Sequence, residues 1–152
     1  MPQVARQTRP AIVLLIEDDP GDQELTRRAL AEGVVKVDLR VVHDGEQALD
    51  YLRQVGEFSG ATEAPRPDLI LLDLNMPKVD GREVLRQVKT ESNLRDIPVI
   101  VLTTSQQETD IVRSYDLGCN SFITKPVDLE SFVHAIRELG RYWFELVTLP
   151  PK

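Results

Sequence analysis

The sequence predicts an α/β fold, a doubly wound parallel sheet of five strands with helices on both faces. Three observations predict it. Short apolar runs alternate with longer amphipathic stretches in the order βαβαβαβαβα along 152 residues. The apolar runs are continuous, as in parallel strands buried on both faces. Helix-capping patterns stand between them.

Taken in order, Ile12–Ile16 is the first strand. Asp19 caps the next helix, with Pro20 at its first position, Asp22 in its first turn, and Leu25, Ala29 and Leu30 on one side. Val37–Val42 is the second strand. Asp44 and Gln47 have capping-box spacing, and Ala48, Leu49 and Leu52 follow on a helix. Residues 55–67, with Gly56, Gly60, Pro65 and Pro67, read as an exposed loop. Leu69–Leu72 is the third and most apolar strand. Asp80 and Glu83 open a helix carrying Val84, Leu85 and Val88. Pro98 starts a strand that runs through Leu102. Ser105 and Glu108 repeat the capping pattern, and Gly118 stands where a helix C-terminal glycine belongs. Ser121–Thr124 is the last strand, and Asp128 caps a final helix reaching Val147.

The organisation expected is a disordered N-terminal arm over 1–10, one domain over 11–147 and a tail over 148–152, leaving no room for an effector domain. The net charge of −7 argues against DNA, which requires clustered Lys and Arg. The single cysteine, Cys119, makes no internal disulfide and fits a reducing cytoplasm. No stretch approaches the roughly 20 apolar residues of a membrane span. A cytoplasmic protein is expected.

Ligands of open α/β sheets bind beyond the carboxyl ends of the strands. There the first strand offers Glu17 and Asp18, the third Asp73 and then Asn75, the fourth Thr103, and the fifth Lys125 before Pro126. Three carboxylates in one cleft repel one another unless cations neutralise them. The ligands are oxygens, with no cluster of histidine or thiolate, which selects a hard ion, Mg2+ foremost. Asp73 is then a nucleophile that becomes an acyl phosphate, with metal and Lys125 screening the transferring group.

Glu17-Asp18-Asp19, Leu72-Asp73-Leu74-Asn75-Met76-Pro77, Thr103-Thr104-Ser105 and Lys125-Pro126 resemble the receiver domains of two-component response regulators. The likeness covers residues 11–140. It implies a flavodoxin-like (βα)5 fold with strand order 2-1-3-4-5, and a signalling phosphoacceptor whose only chemistry is its own phosphorylation and dephosphorylation. Asp73 is then the 4-aspartylphosphate site. Asp18 binds metal directly, Glu17 through water, and Asn75 by its carbonyl. Thr103 contacts the phosphoryl group, Lys125 pairs with Asp73, and the bond to Pro126 is cis. Phe122 matches the aromatic switch that moves with Thr103. The phosphodonor is a sensor histidine kinase. The loop at 55–67 and the ending Arg141-Tyr142-Trp143-Phe144 are similar to single-domain regulators that partner bacterial phytochromes.

Blander readings stand beside these. The acidic run could serve only the dipole of the following helix. Lys125 could be a turn lysine, Thr103 a plain strand residue, and Phe122 core. Thr104 offers a second hydroxyl; Thr103 is preferred because the apolar run ends at Leu102. His43 and His134 lack metal-spaced partners and read as surface or strand-end residues. A haloacid-dehalogenase-type phosphatase would need an acid where Asn75 stands. A nucleotide module would need a glycine- or hydroxyl-rich loop after the first strand. A degenerate scaffold would lack the complete set. Phe132, Ile136, Leu139, Trp143 and Val147 form one stripe. Its distal part either folds back on its own domain or, as we read it, makes a homodimer through the last helix and tail.

Overall fold

The computed structural model describes residues 9–32, 36–60, 64–74, 81–103 and 121–124, and the helical positions Glu130, His134 and Glu138. The elements are β1 (Ala11–Ile16), α1 (Pro20–Ala31), β2 (Val37–Val42), α2 (Gly45–Arg53), β3 (Leu69–Asp73), α3 (Gly81–Thr90), β4 (Val99–Thr103) and β5 (Ser121–Thr124). All strand pairs are parallel and the order is β2-β1-β3-β4-β5, as expected.

The apolar runs become strands because both of their faces are covered. Leu14, Ile16, Ile70, Leu72, Val99 and Val101 pack with Ala48, Leu49 and Leu52 of α2 and Val84, Leu85 and Val88 of α3. The alternate residues Val13, Leu15, Leu69, Leu71, Ile100 and Leu102 pack with Ala29 and Leu30 of α1. Strand residues point to opposite faces in turn, so one apolar run feeds two cores. Each fully buried Leu or Ile contributes about 1.5–3 kcal/mol relative to exposure.

The caps do as the sequence foretold, with one change. The Asp19 carboxylate accepts from the N–H groups of Gly21 and Asp22, and Pro20 opens α1. The Asp44 carboxylate accepts from Gln47 N at 2.8 Å. The reciprocal half of that capping box lands one residue earlier, because Gln47 Oε1 accepts from His43 N at 2.7 Å. Glu130, His134 and Glu138 are helical and exposed, a spacing of four that marks the polar side of the final helix. The caps at Asp80, Ser105 and Asp128, Gly118, the Lys125–Pro126 bond and the tail lie outside the described residues.

The stretch after α2 is less open than its glycines and prolines suggested. Gly56–Phe58 forms a 3-10 turn. The ring of Phe58 meets Tyr51 edge-on at 5.5 Å. The Tyr51 hydroxyl donates to Pro65 O at 2.8 Å, and Gln54 Nε2 donates to Ala64 O at 2.8 Å. Ala64 is buried as a result.

At the amino end of the sheet, Arg9 forks onto Asp68 with bonds of 2.7 and 2.8 Å. Asp68 also accepts from Ile12 N, and its own N–H donates to Ile12 O. Arg9, assigned to the arm from sequence, is thereby tied to the start of β3.

Candidate functional site

β1 and β3 are neighbours, with Ile16 in register with Leu72. One residue further along each strand stand Glu17 and Asp73, side by side at the carboxyl edge. Asp18 follows Glu17. Carboxylate oxygens of Glu17, Asp18 and Asp73 lie within 4.8 Å of one another. Glu17 and Asp73 are buried and Asp18 is exposed, so the cluster opens to solvent on one side.

The neighbouring strands extend this edge. Asp73 is in register with Leu102, which places Thr103 one step beyond it on β4. Thr103 pairs with Thr124, so the chain position after β5, Lys125, continues from that edge. Phe122 is in register with Val101. Lys125 and Asn75 themselves, and the side chains of Thr103 and Phe122, lie outside the described residues.

Backbone bonds fix the frame. Glu17 N donates to Val42 O at 3.1 Å, and Asp19 N donates to Glu17 Oε2 at 3.3 Å. Leu74 N donates to Leu102 O, and Gly81 N returns to Leu74 O, each at 3.1 Å. Gly81 is a residue that sequence reasoning passed over. A Cβ built there would stand 2.5 Å from Leu74 Cα and would also strike the carbonyl oxygen of Asp73. Only glycine lets α3 begin so close behind Asp73. Asp80-Gly81 read simply as a helix start, and no local pattern signals the close approach.

Two unit charges 4 Å apart repel by about 1 kcal/mol in water and about 4 kcal/mol near a protein surface. A set of three carboxylates, two of them buried, therefore calls for a cation. The donors are all oxygens, the choice of a hard divalent ion. Among the described residues this is the one group of its kind. The residues present fit a divalent metal.

A parallel sheet wound on both faces, with acids from the ends of two adjacent strands gathered for a divalent ion, defines a carboxylate-centred phosphoacceptor module. The chain belongs to the response regulator receiver domain family, whose description it matches over residues 13–137. It is 42% identical to the response regulator Rcp1 of Synechocystis over 93% of this chain and 94% of that one. The crystal structure of the phosphorylated cyanobacterial phytochrome response regulator RcpA superposes with a TM-score of 0.87 at 44% identity, over 94% of this chain and all of that one. The Mn2+-bound form of Rcp1 gives a TM-score of 0.85 at 42% identity, over 93% of this chain and 100% of that one. The likeness to phytochrome response regulators expected from the loop and tail is borne out. As a receiver domain, the protein accepts a phosphoryl group from a histidine kinase and binds a divalent metal. No helix among the described residues is long and apolar enough to cross a membrane.

Proposed function

We propose that Asp73 is the phosphoacceptor, that Glu17, Asp18, Asp73 and the carbonyl of Asn75 hold Mg2+, and that Thr103 and Lys125 meet the phosphoryl oxygens. The convergence of Glu17, Asp18 and Asp73 within 4.8 Å carries this reading. A bound Mg2+ ion supplies charge stabilisation for the oxygens of the transferring group. An Asp73 carboxylate oxygen attacks phosphorus as the N–P bond of the donor phosphohistidine breaks. The electron pair of that bond returns to the imidazole nitrogen, and Asp73 is left as an acyl phosphate. Burial of Asp73 limits water around the product, while the exposed Asp18 side leaves a way in for the donor.

Phosphate on Asp73 then biases a two-state equilibrium through Thr103 and Phe122, so that the protein works as a switch and not as an enzyme with turnover. The donor is a bacterial phytochrome kinase, a reading supported by the phytochrome regulators among its relatives. The receiver occupies 11–147 in the cytoplasm, binds no DNA, and pairs with a second copy through the last helix and tail.

Radiolabel transfer from a phosphorylated phytochrome kinase tests the site. Asp73→Asn should take up no label with Mg2+ present, and uptake equal to wild type would rule Asp73 out.

A further inference from the structure

The side chain of Gln23 spans two strand ends beside the acidic cluster. It leaves the first part of α1, where Nε2 donates to Glu17 O at 2.6 Å and stands 3.2 Å from His43 Nδ1. A carbonyl oxygen must face a donor, so the amide nitrogen is on this side and its two hydrogens serve the two contacts. His43 Nδ1 is then the acceptor and its ring carries the proton on Nε2.

This amide is not needed to build α1. Asp19 is the cap, and Gln23 N reaches Asp19 O at 2.9 Å whatever the side chain. The buried positions of the helix are Thr26, Ala29 and Leu30. What the amide does fix is the peptide joining Glu17 to Asp18. The N–H of Glu17 is held by β2 through Val42, its carbonyl by α1 through Gln23, and its carboxylate by Asp19 N.

We propose that Gln23 is a positioning residue for the metal-binding acids, fixing the Glu17–Asp18 peptide so that both carboxylates face Asp73, with His43 as its outer anchor. This rests on the reading of the acids as metal ligands. Groups that hold a ligand's frame influence affinity nearly as the ligands do.

The test uses the full chain and Mn2+ alone, followed by paramagnetic titration. Gln23→Met keeps the length and removes the donor, and its Mn2+ affinity should fall about tenfold. Its metal-free melting temperature should stay within about 2 °C of wild type, since no buried apolar contact is lost. Gln47→Met, which touches His43 from the other side, should keep affinity within about twofold. A metal-free readout comes from the imidazole nitrogens. The chain has two histidines, and the Nδ1 resonance of His43 should move in Gln23→Met while that of His134 stays. Gln23→Ala carries the same expectations. Unchanged Mn2+ affinity in a folded variant, or loss of folding in both, would overturn the positioning role. Failure of wild type to bind Mn2+ would instead remove the metal-site reading beneath it.

Discussion

Replacing Gly81 with alanine sets two effects of opposite sign against each other. By helix propensity the change stabilises by at most about 1 kcal/mol. The surroundings oppose it. The new Cβ would stand 2.5 Å from Leu74 Cα, where ordinary contacts need more than 3.0–3.4 Å. α3 or the end of β3 must then move by about 0.5–1 Å, an overpacking strain of about 1–3 kcal/mol. Neither side yields readily. Leu74, Val84 and Leu85 are fully buried, and the atoms struck are backbone, not the tip of a flexible side chain. The larger part of that range should apply. The net loss is about 1–2 kcal/mol, which lowers the melting temperature of a domain this size by about 2–8 °C. Thermal unfolding followed by far-UV circular dichroism reads it directly. A melting temperature unchanged or raised in Gly81→Ala would mean that helix propensity wins and the steric reasoning is wrong.

Tyr51→Phe removes the bond to Pro65 and should cost about 1 kcal/mol near neutral pH. Burial pushes the Tyr51 phenol up to about 12 from 10.0. Between those values the unfolded chain has released a proton that the folded chain retains, so wild-type stability falls as pH rises. The gap between wild-type and Tyr51→Phe urea midpoints should therefore narrow from about pH 9 to about pH 11, and parallel curves would contradict the assignment. Arg9→Ala should cost about 1.5–3 kcal/mol in urea unfolding with little dependence on salt, because Asp68 is 4% exposed. A loss under about 0.5 kcal/mol would class the pair with ordinary surface ion pairs. Deleting residues 142–152 should leave a monomer by light scattering, whereas an unchanged dimer would take the tail out of the interface.

The strands were legible because burial on both faces leaves uninterrupted apolar runs, and Asp19 and Asp44 announced two helices by cap chemistry. The acids were legible for a topological reason. In a parallel sheet the residue after each apolar run sits on one edge, so Glu17 and Asp73 could be brought together without coordinates. Other features depend on distances between segments that sequence does not encode. Gly81 matters through a backbone approach to Asp73 and Leu74, and Gln23 through the reach of one amide to a carbonyl six residues earlier. Composition alone made 55–67 look exposed, since nothing local reveals that Tyr51 and Gln54 bind its carbonyls. Arg9 looked like part of a free arm for the same reason, its partner Asp68 being 59 residues away.

The fork of Arg9 on Asp68 lies at the end of the sheet remote from the acids, yet it bears on their alignment. Asp68 grips Ile12 with both its backbone and its side chain, so β1 and β3 leave that end unable to slide past each other. A slip of one residue would turn Glu17 or Asp73 to the opposite face of the sheet. The heights of two acids on separate strands are thus set five or six residues before either is reached.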